Sequence, residues 1–146
     1  MIEVQFRSGS RLAGLLLMLM LVLAFPLISV ADFYDQKPMT EAELLKFIDD
    51  MPHYLAWARQ HNEQAHPSLD EQGRPAFAYS AAAAARVEQM GWKAERFFCV
   101  MGRTAAALAL GGRKATRDKP VDMPMVSPAE LNLVRRHMDA LETLGN

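Results

Sequence analysis

The sequence lacks most of the motifs that identify the chemistry of a small protein. Its 146 residues contain a single cysteine, Cys99, so no disulfide can form within the chain. It has no C-x-x-C pair, C-x-x-C-H haem-attachment string, H-E-x-x-H zinc motif or G-x-S-x-G nucleophile elbow. Cys99 is surrounded by Phe97, Phe98, Val100 and Met101, and these neighbours predict a buried thiol that packs as a small apolar side chain.

Charge is absent from residues 12–25, an apolar run that follows two arginines near the amino terminus. A proline and the small residues Ser29 and Ala31 come next. This order predicts a secretory signal peptide over residues 1–31, cleaved after Ala31, and therefore a periplasmic or secreted bacterial protein. The run is shorter than the ~20 residues of a membrane-spanning helix. An uncleaved anchor over residues 12–30 is the alternative, and it would be the chain's link to a membrane.

Three stretches beyond the leader have apolar residues at the three- and four-residue steps of an amphipathic helix. The central one, residues 80–110, predicts one long helix, with a kink or break at Gly91 as the alternative. The first begins at a T-x-x-E capping box at Thr40 and continues through Pro52, where a kink or a break into two helices is expected. The last begins at a second capping box, at Ser127, and continues to the end of the chain.

These stretches predict an all-α fold. Three long helices, or four if the first breaks at Pro52, would form an antiparallel bundle over residues 40–146. Residues 32–39 would be an extended lead-in to the bundle. Two long connections without helices, both containing prolines, are predicted over residues 66–79 and 113–126.

Net charge is small, formally −1 at pH 7, and residues 32–146 hold 14 basic and 16 acidic side chains. This balance argues against nucleic acid as a partner. The charges are unevenly spread, because residues 32–80 hold nine acidic and four basic side chains whereas residues 91–119 hold seven basic and two acidic. Either the two parts neutralise each other, or the basic part forms a surface for a protein or another anionic ligand. The basic candidates are Lys93, Arg96, Arg103, Arg113, Lys114, Arg117 and Lys119.

Two further sets of side chains suggest chemistry. Thioethers favour Cu(I), so Met123, Met125 and His137 are candidate copper ligands, although a chain with ten methionines also uses them as apolar anchors. Asp49 and His53 lie four residues apart and could form the acid–imidazole pair of a small hydrolase, for which no nucleophile stands out.

The leader, the T-x-x-E helix with its Met-Pro step and the final S-P-A-E-L-N-L-V-R-R-H helix resemble small, exported, all-helical bacterial proteins of unknown function. The resemblance covers residues 39–58 and 126–145. The strings at 39–43 and 126–130 also resemble the Leu-Thr-x-x-Gln signature of periplasmic helical stress chaperones, with Glu in place of Gln. We therefore expect an exported helical bundle that acts as a non-catalytic binding or interaction protein. A Cu(I) or stress sensor, or a chaperone, is the first alternative, and a hydrolase is the second.

Overall fold

The computed structural model describes residues 28–32, 36–111 and 126–144, which form helices beside a small antiparallel sheet. In chain order the elements are β1 (Ile28–Asp32), α1 (Glu41–His61), β2 (His66–Leu69), β3 (Pro75–Ser80), α2 (Ala81–Gln89), α3 (Ala94–Gly111), α4 (Pro128–Arg136) and α5 (Met138–Leu144). The predominance of helix confirms that part of the predicted fold, and the sheet is a feature that the all-α prediction lacked. Among the described helices, none combines the length and the apolar character needed to cross a bilayer.

Helix α1 begins at the predicted capping box. The amide of Glu43 donates to the Thr40 hydroxyl at 3.2 Å, and the Glu43 carboxylate accepts from the Thr40 amide at 2.9 Å. The helix continues through Pro52 and ends at Asn62, which has the left-handed φ of 53° that closes a helix. The alternative of a break at Pro52 is therefore wrong. Pro52 is exposed, and buried side chains on both sides of it hold the two halves on one core: Leu44, Phe47, Tyr54 and Ala58.

The first predicted connection is a β-hairpin rather than a loop. Strands β2 and β3 pair from His66 opposite Ala78 to Leu69 opposite Pro75. Asp70 organises the turn between them, because its carboxylate accepts from the Gln72 and Arg74 amides at 2.9 and 2.8 Å. Strand β1 pairs antiparallel with the other edge of β3, which gives the strand order β1–β3–β2.

The long helix predicted over residues 80–110 is two helices. Helix α2 ends at Gln89, Gly91 takes a φ of 84° that favours glycine, and α3 begins at Ala94. The break turns Trp92 into the core, where its indole nitrogen donates to Asp50 Oδ2 at 2.8 Å. The predicted alternative, a break at Gly91, is therefore correct, because the break buries the Trp92 side chain and gives it a partly buried hydrogen bond.

Helix α3 is the central element and contacts α1, α2, α4, β1 and β3. Phe97 and Phe98 are fully buried on it. The Tyr54 ring meets Phe97 edge-on at 5.1 Å, and the Tyr79 ring stacks on Phe98 at 4.2 Å. Cys99 is also fully buried, which confirms the predicted packing role of the thiol.

The carboxy-terminal helix begins as predicted but is interrupted once. Ser127 and Glu130 form the second capping box, with Pro128 in the first turn. A turn at His137 then separates α4 from α5. Helix α5 returns to α1, and Leu141 is buried there.

Candidate functional site

Two arginines of α3 hold residues 36–38, in the described part of the lead-in, against the helices, and the first of them is Arg96. Its guanidinium donates to the carbonyl oxygens of Lys37 and Pro38 at 2.7 and 3.2 Å. The same group makes a two-pronged contact with the Glu43 carboxylate at 2.7 and 2.6 Å. This fork geometry suits arginine better than lysine. Hydrogen bonding from Arg96 lowers the pKa of Glu43 to about 2.

The second arginine, Arg103, lies inside the protein. Its Nη1 contacts both oxygens of Glu130, at 2.8 and 3.0 Å, and its Nη2 donates to the Gln36 carbonyl at 3.1 Å. Glu130 also accepts from the Met39 amide at 2.7 Å and from the Ser127 amide at 2.8 Å. Burial raises the pKa of the Glu130 carboxyl, but these donors outweigh burial, and its pKa is lowered overall.

A groove opens where Arg96 ties the lead-in to α1 and α3. We call it the Arg96 groove; it has a volume of about 440 Å³ and is lined by Gln36, Lys37, Pro38, Thr40, Glu43, Lys93, Glu95 and Arg96. Because Glu43 neutralises Arg96, the remaining positive charge comes from Lys37 and Lys93. Both lysines are exposed, and neither enters an ion pair with another described residue. Glu95 is the one acidic side chain of the lining without such a pair among the described residues.

A tryptophan lies beside this groove. An adjoining cavity of about 310 Å³ shares Glu43, Lys93 and Arg96 with it and is also lined by Trp92 and Lys46. The Lys46 ammonium lies 5.2 Å from the centre of the Trp92 ring, within the range of a cation–π contact. A ligand in the Arg96 groove would therefore lie close to an indole that can report on it.

A second cleft lies where α1 meets the hairpin. Its volume is about 420 Å³, and its lining is Asn62, Glu63, Gln64, His66, Ala78, Tyr79 and Ser80. The Ser80 hydroxyl donates to Glu63 Oε2 at 2.7 Å and accepts from the Ala83 amide at 3.0 Å, so it caps α2. Both hydrogen-bonding roles of this hydroxyl are structural, and they give it no activated nucleophile geometry.

The structure separates the predicted basic residues. Lys93 is exposed and Arg96 is half-buried, and both line the groove. Arg103 does not belong to an exposed basic surface, because it is 5% exposed and paired with Glu130. The other four candidates lie outside the described residues: Arg113, Lys114, Arg117 and Lys119.

The predicted copper ligands are described only in part. Met123 and Met125 lie outside the described residues. His137 is at the turn between α4 and α5, where its Nε2 lies 3.0 Å from Glu41 Oε1. Within residues 28–32, 36–111 and 126–144, no three His, Cys, Asp or Glu side chains are close enough to share a metal ion.

The predicted acid–imidazole pair lies on the outer surface of α1, where Asp49 and His53 are both exposed. His53 acts electrostatically on the neighbouring Asp50, where it is the smallest of the influences that lower the pKa of that carboxyl. Asp50 also accepts from Trp92 and pairs with Lys46. The Asp50 carboxylate therefore has two structural partners, one on α1 and one in the linker between α2 and α3.

Sequence reasoning missed Lys37, Thr40 and Glu43 as groove residues, although Glu43 was identified as part of a capping box. A capping glutamate usually satisfies only its own helix. Glu43 serves two elements here because Arg96, 53 positions later in the chain, reaches its free side. No local pattern in the sequence signals a contact of that separation.

Comparisons of the chain with protein-family models, with curated proteins and with solved structures give no match. The arrangement of the residues themselves is therefore the basis for the function considered next.

Proposed function

We propose that the protein is exported, acts by binding without catalysis, and holds an acidic segment of a partner protein in the Arg96 groove. Its leader would be the signal peptide over residues 1–31, and its helices would pack as an antiparallel bundle beside the hairpin. The observation that carries the proposal is a pair of exposed lysines, Lys37 and Lys93, that line the groove and form no ion pair with another described residue.

The polar groups on the floor of the groove already have partners within the protein. Arg96 bonds to Glu43 and to two backbone carbonyls, and Thr40 is occupied by its capping box. A ligand would meet a preformed surface and would order mainly the two lysine side chains. Preorganisation of this kind reduces the entropic cost of binding.

Charge favours an anion over a cation at this groove. Lys37 and Lys93 have no ion-pair partner within residues 28–32, 36–111 and 126–144 and can pair with a ligand, whereas the Glu43 carboxylate is neutralised by Arg96. Glu95 opposes an anion, so binding should require at least two negative groups that span both lysines. An acidic peptide provides such groups on a flexible backbone, and its affinity should fall as salt is added.

The test is a titration of the exported protein with a hexaglutamate peptide at low salt, followed by Trp92 fluorescence in a Trp57→Phe background, since the chain has two tryptophans. Saturable binding is expected, and Lys37→Ala/Lys93→Ala should weaken it about tenfold or more.

The control is the charge-matched pair Arg59→Ala/Arg135→Ala, which removes two exposed arginines outside the groove. It should leave the affinity for hexaglutamate unchanged. Absence of saturation, or an equal loss of affinity in both double variants, would contradict a localised anion site.

A further inference from the structure

The amino-terminal strand crosses the predicted cleavage site. Strand β1 covers Ile28–Asp32, and its five residues pair with β3 from Ile28 opposite Ser80 to Asp32 opposite Ala76. A signal peptidase that hydrolyses the Ala31–Asp32 bond adds water across it and leaves a new amino group on Asp32. Four of the five β1 residues leave with the leader. A chain cut at this bond would therefore lack the partner strand on this edge of β3.

Strand β3 should keep its position after that loss, because other contacts hold it. Ala76 and Tyr79 are buried, and the Tyr79 ring stacks on Phe98 of α3. Strand β2 pairs with its other edge, and Ser80 caps α2 immediately after it. The result is a fixed row of unpaired backbone N–H and C=O groups, which is a template for adding another strand.

From these contacts we propose that the vacated edge of β3 is a strand-acceptor site that binds an extended segment of a partner protein, antiparallel and in the register of β1. The proposal rests on the export in the proposed function and concerns a surface that is separate from the Arg96 groove. Backbone hydrogen bonds supply the affinity in this mode of recognition.

The segment that fills the edge in the precursor indicates the chemistry of the occupant. Its sequence, Ile-Ser-Val-Ala-Asp, is short, free of proline and rich in small or β-branched residues. The side chains of Ser29 and Val30 are exposed, so the main chain makes most of their contact with β3. A partner segment therefore needs an extended backbone without proline and small side chains, and it needs no particular charge.

The first measurement is the amino-terminal sequence of the protein recovered from the periplasm of bacteria that express the full chain. A chain that begins at Asp32 is expected. A chain that still contains residues 28–31 would overturn the proposal, because its own strand would fill the edge.

The second measurement is the fluorescence anisotropy of a labelled peptide of residues 26–33 added to the same protein. Alternate amides of an edge strand point toward the neighbouring strand, so two N-methylated peptides distinguish strand addition from apolar adhesion. One carries N-methyl groups at Ser29 and Ala31, and the other at Val30 and Asp32. Strand addition predicts that one of them binds about tenfold or more weakly and the other binds like the parent.

Absence of binding by the parent peptide, or an equal effect of both methylation patterns, would overturn strand addition. The variant Ala31→Leu is the matched control, because a bulky residue before the cut blocks processing and retains β1. The Ala31→Leu protein, purified in detergent, should fail to bind the peptide. If it binds the peptide as tightly as the mature protein does, the peptide binds at a surface other than the edge of β3. Hexaglutamate, titrated in parallel, reports on the Arg96 groove alone, so the two proposals can fail separately.

Discussion

Replacing Glu130 by Gln should test whether the buried ion pair with Arg103 holds the lead-in and α4 on α3. The carboxylate is 1% exposed and accepts from Arg103, from the Met39 amide and from the Ser127 amide. Glutamine keeps the shape of the side chain and one acceptor oxygen. It removes the negative charge and turns an amide group toward donors that need an acceptor.

The expected loss of stability in Glu130→Gln comes from the Arg103 charge, which would stay buried without its carboxylate partner. Arg103 is 5% exposed and would remain cationic without its carboxylate. Removing one partner of a buried ion pair typically costs about 3–5 kcal/mol. A domain of this size has a free energy of unfolding of about 5–15 kcal/mol, so Glu130→Gln should lower the urea midpoint by on the order of 2 M.

The assay is urea unfolding followed by tryptophan fluorescence and circular dichroism, with Glu41→Gln as the control. Glu41 makes an exposed contact with Arg136 and His137, and its loss should leave the midpoint unchanged. The refuting result comes from a double-mutant cycle with Arg103→Met. If Arg103→Met/Glu130→Gln loses as much stability as the two single variants together, the charges are not coupled and the reasoning fails.

Three other predictions concern single features of the chain. Tyr54→Phe should leave the thermal midpoint unchanged or raise it, because the phenol oxygen is buried without a hydrogen-bond partner among the described residues; a loss above about 1 kcal/mol would show that the hydroxyl has one. The pKa of Glu43 is about 2 when folded, below its ordinary 4.5, so its stabilisation is present above pH 4.5 and is lost as the pH falls toward 2. Urea midpoints should therefore fall more steeply with acid in the wild type than in Glu43→Gln, and parallel curves would contradict the linkage. The alternative copper function predicts saturable Cu(I) binding in a chelator competition that Met123→Ala/Met125→Ala abolishes, and binding that survives this change would assign the metal to other ligands.

The features that could be predicted from the sequence depend on short-range patterns of residues. Thr40 with Glu43 and Ser127 with Glu130 form both capping boxes, because each box satisfies donors within four residues of itself. The burial of Cys99 also followed from its immediate neighbours. Such features need no knowledge of the rest of the chain.

The hairpin was missed although its turn has a local cause. Asp70 and Gly73 carry the turn signal, but Pro67 lies in the short strand before it and obscured the strand pattern. Pro67 is tolerated because β2 is an edge strand. Pro67 and Pro75 lie on both sides of this turn, and prolines are more typical of loops than of strands.

Tertiary contacts decided the features that local patterns could not show. Arg103 has helical spacing that predicts an exposed residue, yet Glu130, 27 positions away, makes burial favourable. Gly91 permitted either a bend or a break, and the hydrogen bond from Trp92 to Asp50, 42 positions earlier, accompanies the break. The groove depends in the same way on pairs that are distant in the chain.

The hydrogen bond from the Met39 amide to Glu130 joins positions 91 residues apart. During synthesis, which begins at the amino terminus, this contact can form only after residue 130 has been made. Until then Arg96 can bind the carbonyl groups of Lys37 and Pro38, but the Met39 amide lacks the buried carboxylate of Glu130 on α4. Completion of this part of the fold is therefore a late event in the synthesis of the chain.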